Sequence, residues 1–248
     1  MIRASYVFIL SVACLSVSLQ ADETLLLGDN FDWGPDVLDR EHIRAMGSIA
    51  GLSTNLGSLS AIWEDGGRSV DFEFAGEPGP GQGTLRADGA IAQNASIRLP
   101  FDFSAEGVYA LEVVGSFSHP EEGVRGFWLG AEEANPDSRL LNNQETDKVF
   151  MRVAAHGDFL LGSRVDDVDL RELVRLESWE QADQLRLRLV LDFSESMAYA
   201  VVENLSRGGA TRQTMFWWGQ PDWNYITVNV TGESTVELES FRVFRVEQ

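Results

Sequence analysis

The sequence predicts an all-β protein: two antiparallel sheets of roughly a dozen strands packed face to face as a sandwich, with few or no helices. Two observations predict it. Apolar and polar residues alternate with period two from about residue 108 onward, and Gly, Pro, Asn, Asp or Ser clusters bound each alternating run. DQLRLRLVLDF is the clearest case: Leu185, Leu187, Leu189, Leu191 and Phe193 share one face, and Arg186, Arg188 and Asp192 share the other. Only a strand with one buried side needs that pattern.

The elements follow in chain order. Weaker strand patterns lie near LLLGDNFDW, SAIWED, SVDFEFAG, GTLRAD and ASIRLPFDF. Stronger ones are VYALEVVGSF, VRGFWLGAE, KVFMRVAAHG, SMAYAVVEN, NYITVNVTG and TVELESFRVFRV. The last slips phase between Leu238 and Phe241, which predicts a bulge. Between these runs, GEPGPGQG from Gly76 to Gly83 reads as an exposed loop, because its prolines cannot donate to a ladder. Two segments stay open: PDVLDREHIRAM is a helix or a loop, and DLRELVRLESW is a short strand or a helix capped by Asp169 and Glu172. With no repeat, low-complexity tract or change of composition, one domain over 22–248 is the simplest organisation.

Residues 1–21 have the layout of a secretory signal peptide: Arg3, an apolar stretch from Tyr6 to about Leu19, then small residues up to Ala21. The stretch is short of the roughly 20 apolar residues of a membrane span and is broken by three serines. Secretion or periplasmic residence is therefore expected, with no membrane association after cleavage. The chain stops at Val246-Glu247-Gln248 directly after a strand, without a sorting helix, which also favours release. Cys14, the single cysteine, lies inside the signal and matches a lipoprotein site poorly. Beyond it neither disulfides nor thiolate metal sites are available, so stability rests on core packing.

The charge narrows the partners. Asp plus Glu number 39 against 18 Arg and a single Lys, Lys148, for a net charge of -20. Nucleic acid and anionic membranes are repelled at long range. A neutral glycan is a more natural ligand than an acidic one, unless the arginines gather locally. Asn94, Asn204 and Asn229 each open a glycosylation triplet.

Chemistry-bearing patterns are sparse. His42, His119 and His156 are isolated, and no HExxH helix, GxSxG elbow or phosphate loop occurs. Carboxylate pairs that could serve glycoside hydrolysis are Asp71 with Glu73, Glu237 with Glu239, and Glu145 with Asp147. In a chain this acidic, such pairs also arise on solvated strand faces. Asp166, Asp167 and Asp169 are the densest acidic group and a candidate calcium site, though they lack EF-hand spacing; no cofactor is otherwise required. The strongest remaining signal is aromatic. MFWWGQPDWNY brings Trp217, Trp218, Trp223 and Tyr225 together with Asn224, the residue types that stack on a sugar ring and bond its hydroxyls. The same cluster could instead plug one end of the sandwich. If Trp217 and Trp218 lie in a strand, they point to opposite faces. The other tryptophans, Trp33, Trp63, Trp128 and Trp179, stand singly and read as core or rim packing.

Taken over the whole chain after the signal, the order and texture of strands resembles the concanavalin A-like lectin/glucanase superfamily. The resemblance is carried by the opening LLLGDNFDW, mid-chain VRGFWLGAE, the hairpin LRLRLVLDFSESMAYAVVEN and the closing ELESFRVFRV. It implies a jelly roll with one convex and one concave sheet, and glycans bound at the concave face or the loop rim. The expectation is an exported, non-catalytic carbohydrate-binding sandwich with a glycan stacked on the aromatic cluster. The alternatives are a glycoside hydrolase or polysaccharide lyase of the same fold, and a structural exported module without a ligand.

Overall fold

A computed structural model describes residues 22–32, 49–65, 73–74, 85–88, 94–104, 106–118, 126–133, 147–153, 158–165, 168–176, 179–180, 182–217, 221–231 and 234–247. These residues hold fifteen strands and no helix. In order they are β1 (Glu23–Asp29), β2 (Glu64–Asp65), β3 (Glu73–Phe74), β4 (Leu85–Asp88), β5 (Asn94–Pro100), β6 (Val108–Ser118), β7 (Phe127–Glu132) and β8 (Lys148–Val153). There follow β9 (Asp158–Val165), β10 (Val168–Arg175), β11 (Gln184–Asp192), β12 (Met197–Asn204), β13 (Ala210–Phe216), β14 (Tyr225–Thr231) and β15 (Thr235–Val246).

The strands form two antiparallel sheets. An eight-stranded sheet runs β13-β12-β11-β6-β15-β4-β3, with β1 also paired to β15. A seven-stranded sheet runs β10-β9-β8-β7-β14-β5-β2. Strand β15 explains the branch: its first half pairs with β4 and its second half with β1, while β6 runs along its other edge. The expected bulge separates the two halves, as a register shift between Leu238 and Ser240.

The core lies between the sheets. From β11, Leu185, Leu187, Leu189 and Leu191 turn inward and are fully buried, as their alternation requires. Leu129, Met151, Leu161, Ile226 and Val228 meet the same core from the seven-stranded sheet. Each such side chain stabilises the fold by roughly 1.5–3 kcal/mol through removal of apolar surface from water. Arg186 and Arg188 face outward into a network with Glu23, Glu112 and Glu203.

Three strands carry no alternating signal. Strand β9, DFLLGSRV, has an apolar run interrupted by Gly162; β13, ATRQTMF, is a polar edge strand in which Met215 is the buried side chain. Strand β10 decides the open reading of DLRELVRLESW in favour of a strand, because it pairs with β9 over its whole length. The segment PDVLDREHIRAM, the loop GEPGPGQG and the three histidines lie outside the described residues.

Candidate functional site

The aromatic cluster belongs to the core. Trp217 and Trp223 are each only 3% exposed, their ring centroids lie 5.1 Å apart edge to face, and Phe193 packs on both at 5.8 and 5.6 Å. The backbone explains the placement. After β13, the Trp217 N–H donates to Ser196 O in the β11–β12 turn at 3.0 Å, which turns the indole inward beneath that turn. Neither ring offers a face to a sugar, so the stacking platform expected at these two residues is corrected to an end plug. Asn224 stands just before β14 instead, its N–H donating to Glu132 O at 3.1 Å and its carbonyl accepting from Phe101 N–H at 2.9 Å. Trp218 lies outside the described residues.

Tyr225 leads to a different surface. In β14, Ile226, Val228 and Val230 enter the core, so alternation sends Tyr225, Thr227 and Asn229 to the outward face of the seven-stranded sheet. In β7 the core takes Phe127, Leu129 and Ala131, leaving Trp128, Gly130 and Glu132 outward; in β8 it takes Val149, Met151 and Val153, leaving Lys148, Phe150 and Arg152. Register then aligns these residues in three cross-strand rows. Ser96, Asn229, Trp128, Arg152 and Leu160 form the first. The second is Arg98, Thr227, Gly130, Phe150 and Gly162. Pro100, Tyr225, Glu132, Lys148 and Arg164 make up the third.

This face is polar yet covered. Glu132 is 1% exposed, Ser96 1%, Asn229 3% and Lys148 6%. Thr227 Oγ1 donates to Glu132 Oε1 at 2.8 Å. Trp128, Phe150 and Leu160 form a small apolar cluster among them, with the Trp128 and Phe150 rings 4.7 Å apart. Gly162 is required there: a Cβ at that position would stand 2.4 Å from the Phe150 ring. Guanidinium groups lie over the aromatic rings, Arg152 at 5.1 Å from Trp128 and Arg98 at 4.5 Å from Tyr225. Arg98, Arg152, Arg164 and Tyr225 are half-buried and surround the floor.

Two groups on the floor stand out. Asn229 Oδ1 and Ser96 Oγ, on residues directly opposite one another in β14 and β5, are buried with no hydrogen-bond partner among the described residues. A buried, unpaired polar group costs about 1–3 kcal/mol. A fold keeps two of them side by side where something else completes their bonds.

Of this face the sequence singled out Tyr225 alone as a ligand contact; Trp128 stood singly and Asn229 was a glycosylation triplet. The available signal was the outward set of two strands, Trp-Gly-Glu from β7 and Lys-Phe-Arg from β8, in place of short polar residues. Burial also removes the glycosylation reading at two of the triplets. Asn204 and Asn229 are 1% and 3% exposed, and Asn204 Nδ2 donates to Asp183 Oδ2 at 2.8 Å.

The carboxylate pairs fare variously. Glu237 and Glu239 are exposed on the outer side of the eight-stranded sheet, where Glu239 accepts from Gln184. Asp71 and Glu145 lie outside the described residues, so neither of their pairs is described in full. On the outward face of the seven-stranded sheet, Glu132 and Glu64 stand on strands three spacings apart, about 14 Å, beyond the reach of glycosidase carboxylates. Of the calcium candidates, Asp166 and Asp167 lie outside the described residues, and Asp169 is placed only by its backbone, in register with Arg164. Among the described residues, no three acidic, His or Cys side chains converge.

Two antiparallel sheets in this order define the concanavalin A-like jelly-roll fold, as the resemblance implied. No protein-family model matches the chain, and no curated protein matches it in sequence. Among solved structures, a protein of unknown function from Shewanella oneidensis MR-1 aligns with TM-score 0.54 at 11% identity, over 99% of this chain and 97% of that one. Winged bean acidic lectin, complexed with methyl-α-D-galactose, aligns with TM-score 0.51 at 11% identity, over 78% of this chain and 95% of that one. Lectin I of Ulex europaeus, in complex with the methyl glycoside of α-L-fucose, gives TM-score 0.50 at 12% identity, over 75% of this chain and 97% of that one. Likeness at these identities establishes the fold and nothing finer.

Proposed function

We propose that the protein is an exported, lectin-like sandwich that binds a glycan on the outward face of its seven-stranded sheet. The observation that carries the reading is the pair Asn229 Oδ1 and Ser96 Oγ, two neighbouring buried oxygens without partners among the described residues. A carbonyl that needs a donor, beside a hydroxyl that can donate or accept, matches adjacent sugar hydroxyls. Tyr225, half-buried on this face, supplies apolar surface of the kind that the C–H face of a sugar takes. The winged bean and Ulex europaeus lectins of this fold carry sugars in their structures, which supports the class without locating the site. Export rests on the layout of residues 1–21.

A printed glycan array tests the reading with wild type, Asn229→Ala and Ser96→Ala. Wild type should retain a defined subset of glycans, and each variant should weaken that binding at least tenfold at unchanged thermal stability. Retention of no glycan, or equal binding by both variants, would overturn it.

A further inference from the structure

The outer side of the eight-stranded sheet carries an apolar band where a solvated strand face should be polar. Register aligns its outward residues in rows across β13, β12, β11, β6, β15 and β1. Phe216, Met197, Asp192 and Val108 form the first row, which Val246 and Glu23 continue. Thr214, Tyr199, Val190, Ala110, Phe244 and Leu25 form the second. Val108, Ala110 and Val190 are buried on this outer side, Tyr199, Phe244 and Val246 pack against them, and Phe216 at the sheet edge is 60% exposed. A contiguous apolar band on a sheet face marks a contact surface. Below it, the third row is Arg212, Val201, Arg188, Glu112, Arg242 and Gly28, and the fourth is Ala210, Glu203, Arg186, Val114 and Ser240. The charged members of the four rows are Arg186, Arg188, Arg212 and Arg242 with Glu23, Glu112, Asp192 and Glu203, equal numbers in a chain of net charge -20. Most are paired within the chain, and Arg212 lies over the Tyr199 ring at 4.0 Å. Glu237 and Glu239 stand beyond the fourth row, where Gln184 donates to Glu239.

We infer that a second copy of the chain docks on this face, about a two-fold axis that runs along the strands between β11 and β6, the middle pair of the band. Such an axis returns each row to itself and exchanges its halves, so the register fixes which residues meet. Arg188 meets Glu112 of the second copy, Tyr199 meets Phe244, and Met197 meets Val246. Larger side chains face smaller ones where Val190 meets Ala110 and Arg212 meets Gly28. Asp192, which meets Val108, already accepts from Ser194 Oγ at 2.6 Å and Glu195 N–H at 3.1 Å. In none of the four rows does the exchange set like charge against like. The excess acid of the chain lies elsewhere, so two copies approach here without a local barrier of repulsion. The size also suits a dimer: six strands by four rows give a footprint of roughly 29 by 27 Å, about 800 Å², which is what a stable interface buries on each partner. The seven-stranded sheets of both copies face away from the contact, so the pairing does not rest on the glycan reading.

Sedimentation velocity of the purified protein over a dilution series tests this. Wild type should sediment as a dimer when concentrated and dissociate on dilution. The axis sets Phe216 against Glu23 of the second copy, so the sign of a charge placed there is informative. Phe216→Asp should weaken the dimer at least tenfold, and Phe216→Lys should keep it far better. Both changes fall on an exposed side chain and leave the fold in place. Leu59, 50% exposed on the segment before β2, is the control for any other apolar contact: Leu59→Asp and Leu59→Lys should each sediment as wild type does. A single chain mass at every concentration would overturn the proposal. So would equal weakening by Asp and Lys at Phe216, or a dimer that responds to Leu59 and not to Phe216. Failure on the glycan array would leave a dimer of this kind standing, and a monomer would leave the glycan reading standing.

Discussion

Trp63 donates its indole N–H to Asp29 Oδ2 at 3.0 Å, and both side chains are shut off from solvent. The second carboxylate oxygen accepts the Phe31 N–H at 2.8 Å, and Phe31 holds a left-handed φ of 59°. The pair ties β1 to the segment that leads into β2. Burial raises the Asp29 pKa from 3.8 to about 7, against the two donors that favour the charged form.

A raised folded-state pKa fixes the sign of the pH dependence. The folded protein keeps a proton that the unfolded chain releases near pH 4, so the contribution is full below that pH, declines as pH rises to about 7, and is flat above. The whole step is about 4 kcal/mol. Urea unfolding at pH 4.5 and 7.5 should show wild type losing more stability than Asp29→Asn, which cannot ionise. Equal losses would show that Asp29 is ionised throughout.

Asp183 is expected to behave in the opposite sense. Burial pushes its pKa up, but donation from Glu180 N–H at 3.0 Å, Asn204 Nδ2 at 2.8 Å and Arg207 Nε at 2.9 Å outweighs that and holds it below the ordinary value. These bonds anchor the β12–β13 hairpin. Asp183→Ala should cost about 2 kcal/mol at pH 7, because it removes a charged acceptor from a buried amide. A lowered pKa means that this stability is present above pH 4 and is lost below it. The gap between wild type and variant in urea midpoint should therefore narrow in acid.

How much was legible in the sequence depends on whether a side chain's environment is set by its own strand. Leu185 to Leu191 could be placed because alternation alone decides which face they take, and the bulge near Ser240 showed as a break in that phase. Strand β13 could not, since an edge strand with one buried side chain needs no alternation. The site was hidden for a further reason. Asn229, Ser96, Trp128 and Arg152 come from four strands and become a row only through register, which depends on pairings remote in sequence. Trp217 and Trp223 misled because aromatic density is equally the signature of a core plug, and only their burial separates the two.

Gly162→Ala should act through Phe150. The added methyl would lie 2.4 Å from a ring that Trp128 already holds at 4.7 Å, so the ring must move and disturb the apolar cluster. Overpacking of this kind costs about 1–3 kcal/mol. Thermal unfolding reads the loss, and the intrinsic tryptophan emission of the folded variant should change with the packing of Trp128. A variant as stable as wild type, with the same emission, would show that the ring has room.

Substitution of the end plug separates packing from recognition. Trp217→Ala and Trp223→Ala remove buried rings and should each cost about 3–5 kcal/mol. Trp223→Phe should be much milder: it keeps an aromatic ring and removes an indole N–H that is buried without a partner among the described residues. On the glycan array, Trp223→Phe should bind as wild type does. Loss of binding with stability intact would return the plug to the recognition surface.

Asn229 offers the sharpest contrast between a structural and a binding role. A structural asparagine stabilises the free protein through its own bonds, and its removal lowers stability. Asn229 has a buried carbonyl with no partner among the described residues, in the middle of β14 and opposite Ser96. In the free protein that oxygen is a liability of about 1–3 kcal/mol, which Asn229→Ala relieves in part while opening a small void. The net change in urea midpoint should be near zero or positive, while glycan affinity falls at least tenfold. Ligand should in turn raise the wild-type unfolding temperature, through binding to the folded state alone, and leave that of the variant in place. A variant that loses stability and keeps its affinity would make Asn229 part of the scaffold.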